Sequence, residues 1–189
     1  MSNWKDYYSK VRNKPVSPIL KIACGVNKYK KGIAYDLGAG TGQDALFLAK
    51  KGWHVVAVDN EGESIKLIQS LNQKTLKGQE ASFENINLEK CHLINGTFSF
   101  PFCHPKSFDE FWSELRKALS RGGTLSGQLF GPNDDWSLNT NMNFQTHESW
   151  KTLLKGFEII YFDEVEEVRP TAMGNPKHWH IYSFILKRT

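Results

Sequence analysis

AYDLGAGTGQDA, residues 34–45, sets the plan of the whole chain. A short apolar run, GIAYDL (32–37), contains the acid Asp36 and is followed within five residues by Gly38, Gly40 and Gly42. A run this short and apolar reads as a buried strand. The glycines make a turn with almost no side chains, which lets a ligand approach the backbone closely. QDALFLAKKG then reads as a helix, with Ala45, Leu48 and Ala49 at helical spacing. Lys50 and Lys51 suit its last turn, where the helix dipole favours cations, and Gly52 suits its C-cap. Strand, glycine turn and helix together open an α/β sheet whose ligands gather beyond the carboxyl ends of the strands.

The alternation continues outward from there. WHVVAVD (53–59) is a second strand ending in an acid, and ESIKLIQSLNQ (63–73) a helix with Ile65, Ile68 and Leu67 or Leu71 on one face. EASFEN (80–85) and CHLING (91–96) read as short strands. SFDEFWSELRKALSRGG (107–123) predicts a helix, with a Ser107/Glu110 capping box and an apolar side of Phe108, Phe111, Trp112, Leu115 and Leu119. Gly122 and Gly123 are expected to stop it. TLSGQLFG (124–131) is a strand, THESWKTLLKG (146–156) a helix, and FEIIYFDEV (157–165) and HWHIYSFILK (178–187) the last two strands. Only the turn-rich RPTAMGNPK joins those two, so they should pair antiparallel. The pattern predicts an α/β, Rossmann-like three-layer sandwich: a seven-stranded, mostly parallel sheet with an antiparallel last strand. At 189 residues a single domain, 1–189, is expected.

Composition narrows the class. Hydrophobic residues make up 40% and aromatics 13%, as suits a globular chain. No run approaches the roughly 18 apolar residues of a membrane span, and MSNWKDYYSK lacks the apolar core of a signal peptide. Cys24, Cys91 and Cys103 are few and odd in number, which predicts free thiols and a cytoplasmic location. The pairs Cys91-His92 and Cys103-His104 stand 12 residues apart. That is no zinc spacing, so no metal is expected. The charge of +4 is mildly basic, with KYKK (28–31) the longest cluster and the other cations scattered among acids. That speaks against a nucleic-acid partner, which usually requires a concentrated stripe.

The ligand follows from charge. Asp59 ends the second strand 17 residues past Gly42, about where a carboxylate receives ribose hydroxyls. A dinucleotide would want a third glycine at position 43, which is Gln43, and Asp36 would repel a pyrophosphate. The arrangement D-x-G-x-G-x-G instead resembles motif I of class I S-adenosylmethionine-dependent methyltransferases, whose cofactor carries an ammonium that an acid can hold. The resemblance spans about residues 4–187. LSRGGTLSGQ resembles the family's Gly-Gly entry to the fifth strand, with Arg121 where a proline is usual. It implies S-adenosylmethionine as cofactor. Asp36, Gly38, Ala39, Gly40, Gly42 and Asn95 would serve the methionine portion, and Asp59 with Asn60 the ribose. Glu84 or Asn85 would hold the adenine amino group, with Ile86 on the ring.

The leader NWKDYYSKVRNKPVSPIL is similar to that of the small tellurite-resistance and thiopurine methyltransferases, matching at Trp4, Tyr8 and Pro15–Leu20. By that likeness residues 1–31 form a helical leader over the methionine end of the cofactor.

Methyl transfer is an in-line displacement needing a nucleophile about 3 Å from the methyl group. A base is required only for a nucleophile that arrives protonated. In NGTFSFPF (95–102), Asn95 and Phe98 match the ends of the Asn/Asp-Pro-Pro-aromatic signature of amine- and base-modifying relatives. Gly96 and Thr97 replace both prolines, so that chemistry has weak support. The antiparallel seventh strand should begin at the cofactor edge, making His178 the first candidate for a general base or orienting group, with Trp179 and His180 beside it. The loop GPNDDWSLNTNMN (131–143) is long enough for a lid. Trp4, Tyr8, Phe98, Trp136 and His178 are the candidate substrate-lining residues. A small-molecule acceptor is expected, such as a thiol or a chalcogen or metalloid oxyanion. Two rivals stay open. An RNA or protein methyltransferase would need a recognition element beyond the short leader, and a non-catalytic S-adenosylmethionine-binding protein would explain the missing base.

Overall fold

The computed structural model describes Tyr8, Lys10, Val11 and residues 14–189, so Trp4 lies outside the described residues. Helix α1 (Pro18–Val26) leads into strand β1 (Ile33–Leu37), helix α2 (Gln43–Lys50), β2 (His54–Asp59), α3 (Gly62–Ser70) and β3 (Leu76–Glu80). The chain continues through β4 (Cys91–Gly96), α4 (Pro105–Ala118), β5 (Leu119–Phe130), α5 (His147–Leu153), β6 (Phe157–Pro170) and β7 (Pro176–Arg188). The strands form one seven-stranded sheet in the order β3-β2-β1-β4-β5-β7-β6. β1 to β5 pair in parallel, and β7 runs antiparallel to both neighbours, as the alternation predicts.

Each sheet face is covered by helices. Leu20 of α1, Ala45 and Leu48 of α2, and Ile65 and Ile68 of α3 pack with Ala34, Val55 and Leu93. On the other face, Phe108, Phe111, Trp112 and Leu115 repeat at helical spacing along α4 and pack with Trp150 and Leu153 of α5 against Tyr35, Leu37, Ile94 and Phe184. A third cluster, Phe130, Met142, Trp179 and Ile181, sits at the carboxyl edge with Phe98 and Phe144 against it. No helix among the described residues is long and apolar enough to cross a membrane.

Three features differ from expectation, each for a physical reason. The third strand is Leu76–Glu80, not 80–85, where Phe83–Asn85 forms a single 3-10 turn. LKGQE is a polar edge strand with no apolar alternation, and its Gly78 leaves room for Ile65 of α3. The long helix ends at Ala118, and Gly122 and Gly123 lie inside β5 rather than stopping the helix. Gly122 takes φ +82° there, and a Cβ on Gly123 would sit 2.6 Å from the His92 carbonyl. The α4 cap is His104, which accepts the Lys106 N–H, instead of the Ser107/Glu110 box.

Candidate functional site

The three glycines of the turn have different reasons to be glycine. All three have positive φ: +67° at Gly38, +54° at Gly40 and +77° at Gly42. A Cβ at Gly38 would meet Ser99 Cβ at 2.3 Å, and one at Gly42 would meet Ile68 Cγ1 at 2.9 Å, so packing alone forbids a side chain at both. At Gly40 the nearest atom would be a Tyr8 ring carbon, at 3.6 Å. Gly40 is therefore the glycine of the three at which packing does not forbid a side chain.

Two acids flank it. Asp59, at the end of β2, is 7% exposed. Its Oδ2 accepts the Gly40 N–H at 2.7 Å, and its Oδ1 accepts the Glu61 N–H at 3.1 Å and the Tyr8 hydroxyl at 3.2 Å. Tyr8 of the leader thus reaches the acid that ends β2. Asp36, in β1, is 2% exposed. Asn95 Nδ2 donates to its Oδ1 at 2.8 Å, and Ser126 holds Asn95 in place through Oδ1 at 3.1 Å. Among the described residues Asp36 Oδ2 is buried without a well-formed hydrogen bond, the Ala45 backbone N–H being the one further donor that favours the charged carboxyl. Burial, followed by the neighbouring Asp44 carboxylate, pushes the Asp36 carboxyl up to about 8 against the pull of the Asn95 hydrogen bond. A buried carboxylate oxygen without a well-placed donor is costly. An ammonium is the donor whose charge and hydrogen bonds would satisfy it.

The structure brings Phe98, Trp179 and Trp136 together in the third apolar cluster and against its edge. Phe98 follows β4 with φ +53°, a conformation uncommon outside glycine, and its N–H is held by Gln128 Oε1 at 3.0 Å. Its ring lies 6.2 Å from Trp179 and 6.4 Å from Phe130, with Lys14 Nζ 5.2 Å above it. Trp136 stands 5.5 Å from Trp179.

His178 is not brought to that group. Side chains alternate across a strand, so Lys177, Trp179 and Ile181 face one way while His178, His180 and Tyr182 face the other. His178 Nε2 lies 3.0 Å from Glu166 Oε1, and His180 Nε2 2.9 Å from Glu164 Oε1. The loop 131–143 is a pinned rim more than a lid. Asp134, its side chain wholly buried, binds the Lys177 ammonium and accepts the N–H groups of Trp136 and His180 at 3.0 and 3.2 Å. Lys177 Nζ also lies 3.7 Å from the Trp179 ring centroid and 4.4 Å from that of Trp136.

The remaining expectations fall near the third strand. Asn60 is exposed just after β2. Glu84 Oε1 accepts the His104 N–H at 3.0 Å, Asn85 donates to Ser82 Oγ at 3.3 Å, and Ile86 packs against the larger apolar cluster. Sequence reasoning missed Asp44, Thr97, Asp134 and Lys177. Asp44 Oδ2 accepts the Thr97 hydroxyl at 2.8 Å and the Asn95 amide at 3.2 Å. A signal did exist: Asn95 and Thr97, two apart at a strand end, share a side of the backbone.

Comparison with known proteins decides the family. A model of the tellurite resistance protein TehB family matches residues 2–176. The chain belongs to the TehB family. No curated protein matches the sequence. Among solved structures, TehB from Haemophilus influenzae superposes with a TM-score of 0.79 at 18% identity, covering 98% of this chain and 67% of that one. A SAM-dependent methyltransferase from Methanosarcina mazei superposes at 0.68 with 21% identity, covering 92% and 98%. A coclaurine N-methyltransferase bound to N-methylheliamine and SAH gives 0.65 at 16%, covering 89% and 69%. This TehB-family chain has the fold and family of a class I S-adenosylmethionine-dependent methyltransferase, and S-adenosylmethionine is its cofactor.

Proposed function

We propose that this TehB-family protein transfers the methyl group of S-adenosylmethionine to a small, soft, anionic acceptor: a thiolate or a chalcogen or metalloid oxyanion. The buried, poorly satisfied Asp36 Oδ2 beside the glycine turn is the observation that carries the cofactor side. Asp36 would hold the methionine ammonium and Asp59 the ribose hydroxyls, with Asn95 fixing Asp36. When bound, the cofactor supplies a methyl group activated by its sulfonium.

The acceptor side follows from what surrounds Phe98. Its neighbours are the rings of Phe130 and Trp179, the Gln128 amide and the Lys14 ammonium, with no imidazole or carboxylate among these contacts. Arg169 adds a second cation 5.5 Å from the Trp179 ring. Rings exclude water and cations favour an anion, so a nucleophile that arrives deprotonated needs no base. We read residues 1–189 as one methyltransferase domain, working in the cytoplasm with its three cysteines as free thiols. Burial pushes the Cys91 and Cys103 thiols up to about 12, which keeps them protonated and unreactive.

Two measurements test the reading. Isothermal titration should show both S-adenosylmethionine and S-adenosylhomocysteine binding more tightly than about millimolar. A product assay across thiols, selenite, tellurite, amines and RNA should then give methylated product with the thiols or oxyanions. Product with RNA or amines alone would overturn the acceptor class, and silence on all would favour a binding protein.

Asp59→Ala provides a third check. Each lost bond to a charged group is worth up to about 1.5–3 kcal/mol, so cofactor affinity should fall at least roughly tenfold. Unchanged affinity would remove the ribose role.

A further inference from the structure

One carboxylate, Asp36, suffices to match one ammonium, yet a second stands in the same network. Asp44 lies in the first turn of α2, where its Oδ1 accepts the Ser17 N–H at 2.9 Å and its Oδ2 accepts the Thr97 hydroxyl at 2.8 Å. A single amide, Asn95 Nδ2, bridges the two acids, at 2.8 Å from Asp36 Oδ1 and 3.2 Å from Asp44 Oδ2. The charged groups around the pair are Asp59 from β2 and Lys14 from the segment before α1. Asp59 adds a further negative charge, and the Lys14 ammonium stands over the Phe98 ring. Neither Asp36 nor Asp44 forms an ion pair within 4.0 Å among the described residues. The Asp44 carboxylate thus helps to hold a proton on Asp36 in the ligand-free protein, a strain that folding alone has no reason to retain.

The two forms of the cofactor differ in charge. S-adenosylmethionine has two positive centres, its ammonium and its sulfonium. The demethylated product, S-adenosylhomocysteine, keeps only the ammonium, its sulfur being a neutral thioether. Both keep the methionine carboxylate, so the first form has one more positive charge than the second, and a further acid in the site favours the first.

We propose that Asp44 is the second counter-charge of the cofactor site, making the protein bind S-adenosylmethionine in preference to S-adenosylhomocysteine. Transfer of the methyl group then removes one of the two attractions, and the spent cofactor leaves a site that no longer suits it. The inference rests on Asp36 holding the ammonium. Asp44 then selects the reactive form by charge, through a field that does not require contact.

Titration of both ligands against the native protein and Asp44→Asn tests this directly. Asparagine keeps the size of Asp44 and one acceptor oxygen for Thr97 or Ser17 while removing the charge. The variant should bind S-adenosylmethionine about tenfold more weakly and S-adenosylhomocysteine less than threefold more weakly, so the preference collapses. Such a loss matches one charge partner at several ångströms in a partly desolvated site. Its melting temperature, free of ligand, should equal or exceed the native value, because Asp36 then ionises at less cost. Equal weakening of both ligands, or no change in either, would overturn the role of Asp44 while leaving the cofactor assignment intact. Failure of the native protein to bind either ligand would overturn the cofactor assignment as well.

Discussion

Replacing Asp134 with alanine should cost about 3–5 kcal/mol of folding stability, the usual penalty for breaking a buried ion pair by removing one partner. The Asp134 side chain is wholly buried and that of Lys177 is 3% exposed. Burial pulls the Lys177 ammonium below the usual lysine range, and Asp134 is the main group that opposes this. Without it, Lys177 must either lose its proton or remain charged among Phe130, Trp136 and Trp179. The N–H groups of Trp136 and His180 lose their acceptor as well. Chemical denaturation would measure the loss, and a change below about 1 kcal/mol would show that the pair is not holding the rim. A double variant, Asp134→Ala with Lys177→Met, should recover much of the stability, because an apolar side chain removes the unpaired charge and keeps its packing. Cofactor affinity should change little in either variant, since Asp36 and Asp59 are held by other residues.

That pair also shows what sequence can and cannot disclose. Strand–turn–helix at 34–45 and the acid ending the second strand follow from local rules: apolar runs, glycines and capping residues. They place β1, α2, β2 and Asp59 correctly. The seventh strand is also readable, together with its direction. Which of its residues face Phe98 is not, because a one-residue change in phase exchanges the two faces. HWHIY offers His178 as the conspicuous chemical group, yet Lys177 and Trp179 face Phe98 and the rim. Both faces of this strand carry polar and aromatic residues, so no apolar stripe sets the phase. β3 escapes local rules because an edge strand of LKGQE has no alternation to read. Asp44 reads as an ordinary helix-start acid, and only the fold sets it beside Asp36, through Asn95 of a strand 51 residues away.

Asp36→Asn should separate stability from binding, moving them in opposite directions. The folded protein holds the Asp36 carboxyl at about 8, well above its ordinary 3.8, with burial as the first cause and Asp44 as the second. Between about pH 4 and 8 the folded chain therefore retains a proton that the unfolded chain gives up. By linkage, this group is most favourable to folding below pH 4, and its contribution declines as pH rises through that window. Asparagine does not ionise, so the decline should vanish. The ligand-free variant should be more stable than the native protein at pH 8, by roughly 2–4 kcal/mol, and the gain should shrink toward pH 4. Asp44 and Asp59 are the other acids facing this position and Lys14 the cation beyond them, and all three stay in place. Affinity for S-adenosylmethionine should fall on the order of 100-fold, since a charged partner of the ammonium is gone. Thermal melts at pH 4 and pH 8, with and without cofactor, give both quantities from one protein. A variant no more stable than the native protein at pH 8 would mean that Asp36 is not strained by its burial. A poorly satisfied oxygen that costs stability when the site is empty, and regains it when a cation enters, is what a binding site built at the expense of the fold requires.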